Sequence, residues 1–546
     1  MLRFRGKGVY GAYAAGKVSL FTRHGTEVKR TEVDDPQAEL KRLEEGKDKA
    51  VEQLHDIYSK TVSELGEANA EIFEIHSMMI EDDDFNDAIK DIILTQSVNA
   101  EYAVLTAGED LSEMFAEMDD EYMRARSSDI KDISQRLISC ISGNDTDDEF
   151  ESDEKVIIVA DDLTPSETAM LDKDKILAFV TAGGSPTSHT AILAGNLEIP
   201  AVIGVGEELL EAVKDGDMMT VDGYTGDVML SPDEKQIEAV KQKRREDKKR
   251  KKCLSELIGQ ENVTLDGRSI KIYANIQEPR ELDDAISHDA GGIGLFRSEF
   301  LYLDRKDYPT EEQQLEVYSR VLQKMEGKNV IIRTLDIGAD KQIGYFELDD
   351  EDNPALGFRA IRLCLTRPDM FKVQLRALYR ASVYGDLSVM FPMITSTREV
   401  KKALRLCREV REELKEEGIP FREDMKIGIM IETPAAAVIS DLLAPMVDFF
   451  SIGTNDLTQY TLACDRQNGK LDDFVDPHHE ALMRLIEMTV KNAHDNGIWV
   501  GICGELGSDP ELTERFIRMG IDELSVSVSN VLPLREKVRS LDLSIT

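Results

Sequence analysis

The chain has 546 residues, of which 66 are Lys or Arg and 106 are Asp or Glu, for a formal net charge of −40. That length exceeds what one hydrophobic core serves, so two to four domains are expected. The charge excludes nucleic acid and anionic membrane surfaces as partners, and any anionic substrate needs a local cluster of Arg or Lys. No apolar run of about 18 residues occurs, so no membrane insertion is expected. The opening MLRFRGKGVYGAYAAGK lacks the apolar stretch of a signal peptide. The six cysteines are scattered without a CxxC pair, which suits a reducing cytoplasm.

In chain order, residues 1–30 read as short strands punctuated by glycines. At Asp34-Asp35-Pro36 the period changes, with a carboxylate cap followed by Pro at a first helical position. Leu40, Leu43, Val51, Leu54, Tyr58, Val62 and Leu65 then recur at helical spacing. The stretch 31–146 reads as an acidic helical bundle. A strand pattern returns at Lys155–Ala160 and alternates with short helices to about 230. The simplest reading is one α/β domain made of 1–30 and 147–230, with the bundle inserted in it. Residues 231–262 are densely charged and read as a solvated helical linker.

From 263 to 546, eight strand-like runs alternate with helical segments: Ile270–Ile276, Gly292–Ser298, Asn329–Thr334, Leu387–Ile394, Lys426–Thr433, Phe449–Asp456, Ile498–Glu505 and Glu523–Val528. This is the pattern and size of a (β/α)8 TIM barrel, whose chemistry sits at the C-terminal strand ends. Those ends carry Arg297, Arg333, Met393, Glu432, Asn455-Asp456 and Cys503. The two arginines are forks suited to phosphate or carboxylate. Arg359, Arg362 and Arg466 add positive charge, each taken singly as structural or peripheral. Glu432 and Asp456 supply the paired carboxylates of a magnesium site, and no His or Cys cluster beside them suggests zinc. A thiol at such a mouth, Cys503, can move a proton to or from carbon. His189, in GGSPTSHT before a helical AILA, is expected at a helix N-terminus, where an anion is favoured and a neutral imidazole can attack phosphorus.

The stretch FSIGTNDLTQY at 450–460, running on to Asp465-Arg466, resembles the barrel signature of phosphoenolpyruvate-utilising enzymes, and Thr187-Ser188-His189-Thr190-Ala191 resembles their phosphohistidine motif. With GIGLFRSEFLYLDR, RTLDIGADK, NPALGFRAIR, GIMIETP and GICGE, the chain is similar over its whole length to the Enzyme I family of the bacterial phosphotransferase system. The resemblance implies an α/β multidomain protein, with a swivelling phosphohistidine domain ahead of the barrel. It implies that His189 carries a phosphoryl group taken from phosphoenolpyruvate and passes it to the phosphocarrier protein HPr. It assigns Mg²⁺ to Glu432 and Asp456, and phosphoenolpyruvate to Arg297, Arg333, Asn455, Asp456 and Arg466. Cys503 would protonate the enolate to give pyruvate. It also implies a homodimer through the barrel, a mobile linker, and HPr docking on the bundle. There Glu67, Glu71, Glu74, Glu81, Asp82 and Asp83 are interleaved with Met78, Met79 and Phe85 as an acidic face with an apolar patch. The sequence departs from the family pattern at Gly195, where an arginine is usual. Two alternatives are a dikinase or phosphoenolpyruvate synthase, which needs an ATP-binding domain not seen here, and a non-catalytic phosphoenolpyruvate sensor, which should have lost His189, Cys503 or a carboxylate.

Overall fold

The computed structural model describes residues 2–21, 28–65, 67–116, 121–143, 154–172, 175–184, 189–197, 199–303, 305, 307–338, 343–349, 351–466 and 468–544. The chain divides into two compact units, 1–250 and 251–546.

In the first unit, eight strands form one sheet: β1 (Leu2–Arg5), β2 (Lys7–Tyr10), β3 (Tyr13–Leu20), β4 (Val156–Ala160), β5 (Ile176–Thr181), β6 (Ala201–Ile203), β7 (Met218–Asp222) and β8 (Asp227–Leu230). Their order is β1-β8-β7-β3-β4-β5-β6-β2. The stretch from β3 to β6 is parallel and the remaining pairs are antiparallel. The central β4 and β5 read VIIVA and ILAFVT and are buried at every position, as strands covered on both faces are. A helix, His189–Asn196, lies between β5 and β6, and His189 is its first residue, as its sequence setting predicts. Residues 185–188 and the side chain of His189 lie outside the described residues.

Among the described residues, five helices stand between β3 and β4: Pro36–Leu65, Glu67–Glu81, Asp83–Gln96, Ala100–Ala116 and Glu121–Ser142. The first begins at the predicted proline, and the Asp35 carboxylate accepts from the N–H groups of Gln37 and Ala38. The five enclose their own core, which includes Leu43, Leu54, Ile80, Ile89, Val104 and Leu137. Phe85 belongs to that core, which corrects its place in the expected surface patch. The Asp82 side chain caps the helix that starts at Asp83, and this phases Phe85, Ile89 and Ile93 onto one inner face at a spacing of four. Met78 remains on the surface, 61% exposed. The side chains of Glu67 and Glu71 lie outside the described residues. The charged helix Glu234–Ser255 has no buried residue, as expected of a solvated helix.

The second unit is a closed parallel barrel of β9 (Lys271–Ile276), β10 (Ile293–Arg297), β11 (Val330–Arg333), β12 (Leu387–Phe391), β13 (Lys426–Ile431), β14 (Phe449–Ile452), β15 (Trp499–Ile502) and β16 (Glu523–Ser527). Alternate residues such as Ile332, Val389, Ile429, Phe450, Val500 and Leu524 join the large core shared with the surrounding helices. Their neighbours Ile331, Met390, Met430, Phe449 and Cys503 form a separate cluster that fills the lumen. Four expected strand ends are corrected, β12 stopping at Phe391 rather than Ile394 and β15 at Ile502 rather than Glu505. The strand at 449 stops at Ile452, and Asn455 and Asp456 lie in the first turn of the helix Thr454–Leu462. A Thr-Asn-Asp run favours a helix start, where the partial positive charge suits the Asp456 carboxylate. Likewise β13 ends at Ile431, so Glu432 sits one residue beyond it.

Candidate active site at the barrel mouth

Arg333 closes β11 on the lumen face, two residues after Ile331. Its buried guanidinium pairs with Glu299 at 3.1 Å and Asp336 at 3.0 Å. Asp336 also pairs with Arg359 at 2.8 Å. Burial pushes the Asp336 carboxyl up, but Arg333 and Arg359 outweigh it and hold it below its ordinary value. Burial works against the Arg333 charge, yet the surrounding carboxylates, Glu299, Asp336, Glu432 and Asp456, hold its proton more firmly than usual.

Glu432 is fully buried. One of its oxygens accepts from the backbone N–H of Met393, a residue held at φ 55°. A side-chain-bearing residue in that left-handed region is uncommon and marks a site where the fold imposes a conformation. The other oxygen, Oε2, has no hydrogen-bond partner among the described residues, and neither has the buried Oδ1 of Asp456. Burial first, then the negative charges of Asp456 and Asp336, push the Glu432 carboxyl up to about 8. Arg466 stands 3.6 Å from Asp456 Oδ1. Asn455 donates to Glu505 Oε1 at 3.0 Å and accepts from the Glu505 N–H at 3.0 Å, so its amide is oriented by a two-way clasp.

Arg297 ends β10 with its side chain exposed. Among the described residues it has no hydrogen bond or ion pair, but it contributes positive charge felt by Asp336. Cys503 follows β15 and is 5% exposed, with Leu295, Ile331, Met390, Met430 and Phe449 around it. Burial pushes its thiol up to about 12, so it carries a proton at neutral pH.

The structure therefore gathers Arg333, Glu432, Asp456 and Arg466 with Cys503 and Asn455 at one barrel mouth. His189 belongs to the other unit. Arg359, taken singly as structural or peripheral from the sequence, also enters the cluster, as do Asp336 and Glu299, which sequence reasoning missed. The signals were local: Asp336 lies three residues after Arg333, Glu299 two after Arg297, and Arg359 beside Ala360, which is held at φ 54°. Arg362, by contrast, is structural, donating to the carbonyls of Leu356 and Gly357 at 2.8 Å. Two buried carboxylate oxygens that lack donors fit a hard divalent cation, which takes oxygen ligands. The arginines around them fit the anion such a cation would accompany.

The family model for the PEP-binding domain of PEP-utilising enzymes matches residues 251–543, their N-terminal domain matches 5–126, and their mobile domain matches 152–226. A phosphoenolpyruvate-protein phosphotransferase of Priestia megaterium is 42% identical over 514 residues, covering 94% of this chain and 90% of its own. That of Geobacillus stearothermophilus is 42% identical over 98% of this chain and 94% of its own, and that of Bacillus subtilis (strain 168) 39% identical over 99% and 95%. The chain belongs to the phosphoenolpyruvate-protein phosphotransferase family. Among the described residues, no helix is long and apolar enough to cross a membrane.

Proposed function

We propose that this enzyme transfers the phosphoryl group of phosphoenolpyruvate to His189 and then to the histidine of HPr, releasing pyruvate, as the first step of a sugar phosphotransferase system. The observation that carries this reading is the pair of buried oxygens, Glu432 Oε2 and Asp456 Oδ1, left without hydrogen bonds beside Arg333. Glu432 and Asp456 would hold Mg²⁺, which when bound offsets the charge of the substrate phosphate and carboxylate. Arg297, Arg333 and Arg466 bind the anionic substrate, and Asn455, oriented by Glu505, adds a hydrogen bond. Asp336, Glu299 and Arg359 keep Arg333 extended at the mouth. Cys503, protonated in its apolar setting, gives its proton to the enolate carbon left when the phosphoryl group departs.

The supporting domain reading assigns 1–30 and 147–230 to the phosphohistidine domain and 31–146 to HPr docking. It assigns 231–262 to the linker and 263–546 to substrate binding and dimerisation. We read the enzyme as a cytoplasmic homodimer. The test is metal binding measured apart from turnover. Titration calorimetry with Mn²⁺ should show a site that Glu432→Gln with Asp456→Asn removes, and the same double variant should release no pyruvate in the presence of HPr. Undiminished cation binding by the double variant would overturn the metal assignment.

A further inference from the structure

The floor of the barrel lumen holds an acid that the proposed reaction leaves unused. Glu523 opens β16, in register with Gly501 of β15 and Lys271 of β9, and is fully buried. Leu524 and Val526 join the outer core, so Glu523 and Ser525 face the lumen, the side that Gly501 and Cys503 also face. The carboxylate occupies space left by two glycines. A Cβ on Gly501 would lie 2.0 Å from Glu523 Oε2, and one on Gly294 would lie 2.4 Å from Oε1 and 2.3 Å from the Ser525 hydroxyl. Neither carboxylate oxygen has a hydrogen-bond partner among the described residues. A carboxyl kept for structure would be paired, because burying an unpaired one costs stability. Glutamine or methionine would serve the packing as well, so the acid needs a chemical reason.

Cys503 supplies one. It lies two residues beyond Gly501 on the same face of β15. The Ser525 hydroxyl donates to Asn275 at 2.7 Å, and the Asn275 amide donates to the Cys503 carbonyl at 2.9 Å, tying the floor to the cysteine. A thiol that has protonated an enolate is left as a buried thiolate, and it cannot act again without a new proton. We infer that Glu523 is the proton reserve of Cys503, a positioning residue that acts only through the thiol and restores its proton after each turnover. This rests on the reading of Cys503 as proton donor. The proton passes from the carboxyl oxygen to sulfur, the O–H bond breaking as the S–H bond forms, and Glu523 becomes a carboxylate. The carboxylate then takes a proton from water at the N-terminal end of the barrel, where the exposed Lys271 begins β9.

The direction of transfer follows from the two environments. Burial pushes the thiol up to about 12 and the Glu523 carboxyl up to about 8, so the thiolate is the stronger base and the resting acid is protonated. The ionisable groups facing Glu523 are Lys271 and Tyr273 on β9, Cys503 just past β15 and Asp522 immediately before β16. Lys271 favours the carboxylate and Asp522 the acid, and β10 contributes only Gly294 there.

Glu523→Gln keeps the size and removes the proton. In the full chain with Mg²⁺, phosphoenolpyruvate and HPr, the first turnover should release pyruvate at the wild-type rate, because Cys503 starts protonated. Repeated turnover should fall by about 10²-fold, the lower end of what a lost proton donor costs. The loss of wild-type rate with rising pH around about 8 should vanish in the variant. Glu523→Asp, which keeps an acid, should recover part of the repeated turnover. Independently of activity, infrared difference spectra of the wild type should show a buried carboxylic-acid component titrating near that pH that is lost in Glu523→Gln and kept in Glu432→Gln, whose own acid is also raised to about 8. Wild-type repeated turnover and pH profile in Glu523→Gln, or absence of that band from the wild type, would overturn the inference alone. A wild-type chain that forms no phosphohistidine would overturn the functional reading, and this inference with it.

Discussion

Removing the Arg333 guanidinium tests whether the barrel mouth is a mutually dependent charge cluster. Arg333→Ala would take the partner at 3.1 Å from Glu299 and leave Asp336 held by Arg359 alone. Deleting one member of a buried ion pair costs about 3–5 kcal/mol, because the survivor keeps its desolvation penalty. The remaining Arg359 contact puts the expected loss at the lower end, about 3 kcal/mol. The chain contains its own reporter: Trp499 is the sole tryptophan and lies in β15, stacked on Phe449 at 4.6 Å between ring centroids. Its fluorescence in urea follows barrel unfolding without signal from the first unit. Arg333→Met, which fills the volume without the charge, should lose a similar amount and so separate charge from packing. The pH dependence has a defined sign. The Asp336 carboxyl is held below its ordinary 3.8, so its contribution is complete above that pH and is lost as pH falls through the lower folded value. The gap between wild type and variant should therefore narrow in acid. A loss under about 1 kcal/mol at neutral pH, the range of an exposed ion pair, would refute the argument.

Cys503→Ser keeps the size but offers a far weaker acid. Substrate binding should barely change while overall turnover drops by about 10²-fold, measured by following pyruvate and phosphohistidine together, and wild-type rates of both would reduce Cys503 to packing. Glu523 also predicts a stability signature. With its folded-state ionisation raised from 4.5 to about 8, wild-type barrel stability should decline as pH rises between those values and level off above. The Glu523 share of that decline, up to roughly 5 kcal/mol, should be lost in Glu523→Gln, which keeps only the share of Glu432, also raised to about 8. Parallel Trp499 unfolding midpoints for the two proteins at pH 5 and pH 8 would contradict a buried protonated acid. At Gly195, a Cβ would meet no described residue within 4 Å. Gly195→Arg should therefore be tolerated and should stabilise its helix by about 0.5–1 kcal/mol, and it should lengthen the lifetime of phospho-His189 as measured by label retention.

The barrel was legible because its strands are short apolar runs separated by helical periods, and Arg297 and Arg333 mark two strand ends by breaking those runs. The residues just past a strand were harder. Asn455 and Asp456 continue the motif in sequence, but the chain turns at Gly453 and enters a helix, so the strand reading ran four residues too far. Arg359 joins the site from a segment between β11 and β12, and no periodicity indicates that it meets Asp336 across 23 positions. Phe85 looked like part of a surface patch until the Asp82 cap fixed the phase of its helix. Glu523 was the least legible. A glutamate at the start of a strand reads as exposed, and only barrel closure, with Gly501 on the adjacent β15 and Gly294 two strands away on β10, reveals that it is buried.

The central claim is that His189 carries the phosphoryl group, and labelled phosphoenolpyruvate addresses it most directly. The full chain is incubated with phosphoenolpyruvate labelled in the phosphoryl group and Mg²⁺, quenched in alkali to preserve phosphohistidine, digested and mapped. The account predicts a single labelled peptide containing His189, lost in His189→Ala and when Mg²⁺ is chelated, with the label leaving on addition of HPr. Label on another residue, or label that persists in His189→Ala, would contradict it.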